Sequence, residues 1–253
     1  MSKKWMALLA ALMTAGPAVA DSSSTESDWS YTATLYGWFP GVSTTVETPQ
    51  GEIEAEVDFD EVLETLDIAF LGALEARKGR WSLIGDFQYF DIGADFATPT
   101  GALFSGGEVD SKMALFSAYA TYAVVQNSDT RFDVGGGLRY YDVTVETQLI
   151  SQGTAPTLLL EDDGSWTDLL LAARVKHHFN ARWSGIAYGD LGGFGLDDAS
   201  ELSWRAFAGA GYQFNERWSA VGGYQYLSID RDFERTNITS EIAGPFLGVQ
   251  IAF

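Results

Sequence analysis

Five aromatic residues, Trp29, Trp81, Phe132, Trp183 and Trp218, each open a stretch of alternating residues, and four are followed by serine (Ser30, Ser82, Ser184, Ser219). Three of these stretches follow short polar turns, Lys78-Gly79-Arg80, Asn180-Ala181-Arg182 and Asn215-Glu216-Arg217, and the chain itself ends on an aromatic, Phe253. Aromatics at one level with strands rising from it are what a membrane interface selects, so the five are read as an interface girdle. No stretch beyond the first 20 residues approaches the roughly 20 consecutive apolar residues of a spanning helix. A membrane chain without such a helix must close its sheet into a barrel, because lipid offers no partner for free backbone groups.

Alternation carries the same message. Within 81–90, Trp81, Leu83, Gly85, Phe87 and Tyr89 share one face, and Ser82, Ile84, Asp86, Gln88 and Phe90 share the other. Leu202, Trp204, Ala206, Ala208, Ala210, Tyr212 and Phe214 oppose Ser203, Arg205, Phe207, Gly209, Gly211 and Gln213 in the same way. At the end of the chain Leu247, Val249, Ile251 and Phe253 oppose Phe246, Gly248, Gln250 and Ala252. One face suits lipid; the other is mixed.

Lys3 and Lys4, the apolar run Trp5 to Ala15 and the small-residue site Ala18-Val19-Ala20 form the pattern of a secretory signal peptide. The expected organisation is therefore a cleaved signal peptide at 1–20, a periplasmic lead at 21–28 and a barrel at 29–253. Ten strands are expected, at about 29–38, 67–78, 80–93, 110–125, 130–147, 165–179, 182–196, 201–215, 217–230 and 239–253. Eight or twelve remain open, since part of 40–57 reads as a further hairpin. Turns after even-numbered strands are short and most of the others longer, the pattern of periplasmic turns and extracellular loops. A soluble lipocalin-like barrel would carry a polar exterior, which the rows 202–214 and 247–253 argue against.

There is no cysteine, which excludes disulfides, thiolate metal sites and a cysteine nucleophile. The formal charge of −20 repels phosphate backbones, so nucleic acid is set aside as a partner.

The Trp-Ser strand starts, the segment Phe70 to Tyr89 (FLGALEARKGRWSLIGDFQY) and the ending Gly244 to Phe253 (GPFLGVQIAF) resemble the small outer-membrane β-barrels of the opacity and OmpA-like superfamily, over essentially all of 29–253. The resemblance implies residence in the cell outer membrane, contact with its lipid and lipopolysaccharide, and escort by periplasmic chaperones. It also implies that Phe253, with Leu247, Val249 and Ile251, is the signal read by the barrel-assembly machinery. It carries over no catalytic residue, metal ligand or cofactor.

With the Trp-bearing parity outward, Glu75, Arg77, Asp86, Asp133, Arg139, Arg174, Lys176, Asp190 and Arg205 point into the lumen. Opposed charges in a narrow barrel are most simply a paired structural core; a polar ion path is the alternative. Inward Leu71, Ile84, Phe90, Met113, Leu115, Tyr119, Phe207, Leu227 and Phe246 favour the filled lumen, and would equally line a pocket for an apolar solute.

The first external loop, 39–66, carries Glu47, Glu52, Glu54, Glu56, Asp58, Asp60, Glu61 and Glu64 without a Lys or Arg. Asp58 and Glu61 there suit the start of a short amphipathic helix bearing Phe59, Val62, Leu63 and Leu66, a candidate lid; the plainer reading is a loop packed on the rim. These acids, with Glu161, Asp162, Asp163, Asp197, Asp198 and Glu201 in later loops, lack calcium-loop spacing, and solvated faces are the simpler reading. Enzymatic barrels, omptin proteases among them, need an acid/base group at the outer rim or a Ser/His pair near lipid. The only histidines, His177 and His178, fall beside the turn at Asn180 on opposite faces of a strand. The clusters Gly135-Gly136-Gly137 and Gly192-Gly193 with Gly195 lie outside any strand-to-helix context, so they relieve crowding or permit bending rather than cradle phosphate. The sequence thus points to an integral barrel with a structural or surface role and no catalysis, then to a narrow pore or binding barrel for a small or apolar solute, and distantly to an enzyme.

Overall fold

The computed structural model describes residues 29–48, 51–57, 66–97, 104–151, 158–233 and 236–253. They form twelve strands: β1 (Ser30–Trp38), β2 (Gly41–Thr48), β3 (Gly51–Val57), β4 (Leu66–Lys78), β5 (Trp81–Ala97), β6 (Phe104–Gln126), β7 (Thr130–Ser151), β8 (Leu158–His178), β9 (Trp183–Gly193), β10 (Leu202–Gln213), β11 (Trp218–Phe233) and β12 (Thr236–Ala252). Each of β4 to β11 pairs antiparallel with the next, β1 pairs with β4, and β12 returns to β1 from Thr32↔Ala252 to Trp38↔Phe246, closing a ten-stranded barrel. The signal peptide and lead lie outside the described residues, as does 58–65, which holds most of the expected helical lid.

The remaining pair, β2 and β3, is the further hairpin left open for part of 40–57, and it corrects the expectation of a loop over 39–66. It is a hairpin laid against the far half of β12, from Gly41↔Ala243 to Glu47↔Asn237. β12 therefore carries β1 along its near half and β2 along its far half. The chain steps from one to the other at Phe39-Pro40, where a side chain on Gly244 would come within 2.1 Å of the Phe39 carbonyl oxygen. Glu47, Glu52, Glu54 and Glu56 thus sit in strands. Glu161, Asp162 and Asp163, also expected in a loop, lie in β8 opposite Glu146, Val145 and Thr144 of β7.

Three tight turns share one device. The Asn127 side-chain oxygen accepts from the amides of Asp129 and Thr130, that of Asn180 from Arg182 and Trp183, and that of Asn215 from Arg217 and Trp218, at 2.8–3.1 Å. An asparagine that bonds its own backbone two and three residues on fixes the turn, and so fixes the register of both flanking strands. The fourth turn places Gly79 at φ 57° between the paired Lys78 and Trp81. These four turns define one end of the barrel, the turn end; the opposite end is the crown.

A membrane-spanning strand needs about 9–11 residues. β9 and β10 have 11 and 12, whereas β6, β7 and β8 have 23, 22 and 21 and run on into the crown. The rim is lowest at the β9–β10 connection. There β9 stops at Gly193 rather than continuing to 196, because Gly193, Phe194, Gly195 and Asp197 all adopt positive φ, which no strand accommodates.

The two faces are sharply divided. Leu35, Leu74, Leu171 and Leu247 are each more than 60% exposed on the outside, while Leu71, Leu115 and Leu227 are 1–3% exposed inside. Trp29, Trp81, Trp183 and Trp218 stand exposed at the turn end and Phe132 is partly covered there. Tyr31 and Phe253 stack beside Trp29, Tyr122 packs edge-on to Trp81, and Tyr212 does the same to Trp183.

Candidate functional site

Among the described residues the lumen is the interior, and its side chains are stacked in tiers. Strand alternation puts them there: Glu75 and Arg77 of β4, Asp86 of β5, Asp133 and Arg139 of β7, Arg174 and Lys176 of β8, Asp190 of β9 and Arg205 of β10 share the inward parity.

At the turn end, Arg174 from β8 grips Glu75 of β4 through both terminal nitrogens at 2.8 and 3.0 Å and reaches Asp133 of β7 at 3.2 Å. Arg77 bonds Glu75 at 2.8 Å, and Arg131 bonds Asp133 at 2.8 Å. The second Arg131 arm donates to Ser82 and to the Arg80 carbonyl, tying β7 to the first tight turn. Lys176 belongs to the same tier without an ion pair among the described residues.

The middle tier holds the most deeply buried charges. Arg139 donates to both oxygens of Asp190 at 2.8 and 2.7 Å, to Ser117 at 3.0 Å and to the Tyr119 hydroxyl at 2.9 Å. Arg205 approaches Asp190 and Asp86 at 3.2 Å each, and donates to Tyr119 at 2.6 Å. Tyr119 donates onward to Asp190, Tyr36 donates to Asp86 at 2.7 Å, and Gln88 donates to the other Asp86 oxygen. Two guanidiniums and two carboxylates from four strands, β5, β7, β9 and β10, thus cancel within one network. The side chains of Arg139 and Asp190 are only 1% and 2% exposed, so their charges persist because each is matched and hydrogen-bonded.

Toward the crown the lumen turns apolar. Trp38, Leu71, Phe90, Leu115, Tyr141 and Leu227 pack together at 0–9% exposure, with Trp38 edge-on to Phe90. Beyond them Asp168 accepts from the Ser203 hydroxyl at 2.5 Å and the Ser200 amide at 2.9 Å, and Trp166 donates to the Ser200 hydroxyl. Tyr141 stacks on Trp166, and the Arg231 guanidinium lies 4.2 Å from that indole. This cluster pins the low β9–β10 connection into the barrel.

Glycines shape the walls of these tiers. A side chain on Gly137 would meet the Ala118 carbonyl oxygen at 2.1 Å and the Tyr119 ring at 2.9 Å. Gly137 thus leaves β6 and β7 close enough for Tyr119 to reach Arg139 and Asp190.

Two spaces remain. A cavity of about 170 Å³ lies between the turn-end and middle tiers, with Ile84, Ile186, Val221, Phe207 and Phe246 among its walls and Glu75, Arg174 and Asp86 at its edges. A vestibule of about 610 Å³ opens at the turn end around Lys176, His178 and Arg182. His177 bonds Thr130 at 2.8 Å, and among the described residues no hydrogen bond joins His178 to a serine or a carboxylate. No group of three His, Asp or Glu suited to a metal ion occurs among the described residues. Asp197, Asp198 and Glu201 lie exposed on the β9–β10 connection.

Arg131 and Asp168 were missed by the sequence reading although alternation places both inward. Arg131 shares parity with Asp133 and Arg139, and Asp168 with Arg174 and Lys176.

A closed ten-stranded antiparallel barrel with an apolar exterior, aromatics banded at one end and a filled lumen is a membrane β-barrel of the outer-membrane type. Its fold is similar to that of the outer-membrane protease OmpT from Escherichia coli, with a TM-score of 0.50 over 92% of this chain and 99% of that one at 8% identity. Looser matches include Neisserial surface protein A (TM-score 0.36, 12% identity, 92% of this chain and 100% of that one). Another is the toluene transporter TodX of P. putida (TM-score 0.33, 12% identity, 90% of each chain). At these identities the likeness is one of fold alone. No family model matches the chain, and no curated protein does so.

Proposed function

We propose that the chain is an exported, integral outer-membrane protein with a structural or surface role and no catalytic activity, its turn end in the periplasm and its acidic crown outside. The observation that carries this reading is the pair of adjacent closed tiers, the neutral Arg139–Asp190–Arg205–Asp86 network and the Trp38–Phe90–Leu227 apolar layer. A water-filled pore keeps its charges solvated and its lumen polar; here both tiers are buried. The crown, with the β2–β3 hairpin and the long β5–β8 wall, is then the working surface. Outer-membrane lipid, lipopolysaccharide and the assembly machinery are its expected neighbours. Single-channel recording on refolded residues 21–253 in a planar bilayer tests the reading: silence from verified folded protein is expected, and reproducible conductance steps refute it.

The 170 Å³ cavity favours one second reading, a small apolar solute held in the lumen. An engineered apolar cavity of about 150 Å³ takes up benzene. Benzene raising the unfolding midpoint of the folded barrel in a saturable way would support that reading, and no shift would remove it.

A further inference from the structure

Within a strongly acidic chain the turn end is basic. Of the thirteen Lys and Arg in residues 21–253, eight gather there: Arg77, Lys78, Arg80, Arg131, Arg174, Lys176, Arg182 and Arg217. The acids at that end, among the described residues, are Glu75, Asp129, Asp133 and Glu216.

The excess extends into the lumen. In the turn-end tier four cations, Arg77, Arg131, Arg174 and Lys176, share two carboxylates, Glu75 and Asp133, and every ion pair those acids make goes to an arginine. Lys176 is left over. Its half-buried side chain borders the 610 Å³ vestibule, where Arg182 and His178 stand near it and Asp129 is the one acid in the lining. Neutral polar groups complete the wall: Ser184, Ser219 and Gln250 face the same space, with Ser219 donating to Gln250 at 3.3 Å and Gln250 to Thr34 at 3.2 Å, bonds that an entering anion would compete with. A confined set of cationic and hydroxyl groups that outnumbers its acids, with Glu75 and Asp133 already engaged by arginines and Asp129 the one lining acid outside those pairs, is a site for an anion.

We propose that this vestibule binds a phosphate group, with Lys176 as the principal charge, Arg182 at its mouth and the Ser184 and Ser219 hydroxyls as neutral donors. The chemistry is that of a phosphate monoester or diester, supplied by a soluble phosphate compound or by the headgroup of an anionic phospholipid in the leaflet at the turn end. It is independent of whether the lumen conducts.

The experiment uses the folded full barrel, residues 21–253. Titration calorimetry in a zwitterionic detergent probes inorganic phosphate and pyrophosphate. Native mass spectrometry from phosphatidylcholine nanodiscs doped with phosphatidylglycerol probes the lipid source. Expected is saturable binding of pyrophosphate or selective retention of phosphatidylglycerol, weakened about tenfold or more by Lys176→Gln, the loss of one charge-assisted hydrogen bond. Ser219→Asp, which places a carboxylate on the vestibule wall outside the ion pairs, should weaken it equally and serves if Lys176→Gln does not fold. Binding of pyrophosphate assigns a soluble ligand, and retention of phosphatidylglycerol alone assigns a lipid. Absence of both, or binding indifferent to the folded variants, overturns the proposal.

Discussion

Asp190→Ala is the most informative single change in the lumen. The carboxylate accepts two bonds from Arg139, one from Tyr119 and one from Arg205. Without it, Arg205 at 6% side-chain exposure keeps Asp86, but Arg139 at 1% keeps no carboxylate partner. Removing one member of such a buried pair costs about 3–5 kcal/mol. For a urea dependence of about 3 kcal/mol per molar, this lowers the unfolding midpoint by roughly 1–2 M. The assay is reversible urea unfolding of the barrel in lipid vesicles followed by tryptophan fluorescence. Arg139→Met combined with Asp190→Leu removes both charges and leaves Arg205 paired with Asp86. The double variant should therefore regain most of the lost midpoint, with a coupling of about 2–4 kcal/mol between the sites. A shift under about 0.3 M for Asp190→Ala in a fully folded barrel, converted at the same slope, would mean that water already solvates the network. The closed-lumen reasoning would then be wrong.

Trp38→Ala empties part of the apolar tier and should cost about 3–5 kcal/mol in the same assay. Gly137→Val drives a branched side chain into the Ala118 carbonyl, so it should yield no compact, heat-modifiable form on detergent gels. Replacing residues 41–57 with a short Gly-Ser linker removes the hairpin but no β1–β12 pair, and the midpoint should move by no more than about 1 kcal/mol in equivalent stability. Phe253→Ala should slow assembly in cells, measured as delayed appearance of the heat-modifiable form, with a smaller effect on the purified barrel.

The wall was legible because lipid imposes a strict rule on every second residue. Trp81 to Phe90 and Leu202 to Phe214 could be sorted by parity alone, as the burial of Gln88 and Arg205 against the exposure of Trp81 and Leu202 illustrates. What alternation cannot supply is depth along the axis or the partner across the lumen. Arg139 and Asp190 lie 51 residues apart in sequence, on β7 and β9 with β8 between them, yet meet at 2.7 Å in the lumen. The crown was less legible for a related reason. Above the lipid both faces of a strand meet water, the pattern loses contrast, and Glu52, Glu54 and Glu56 of β3 read as a charged loop although they recur with a period of two. The missed Asp168 is a simpler case: it lies inside the strand expected at about 165–179, where its parity was visible.

The double use of β12 has a kinetic consequence. Thr34, on β1, pairs with Gln250, and Thr44, on β2, pairs with Ser240, so both the seam and the crown hairpin join segments about 200 residues apart in sequence. Contacts of such separation are slow to form because the intervening chain must first be brought round. The closing of the wall and the seating of the hairpin both wait for the arrival of the last strand. A label on β2 therefore reports, from the water-exposed crown, an event that takes place within the membrane.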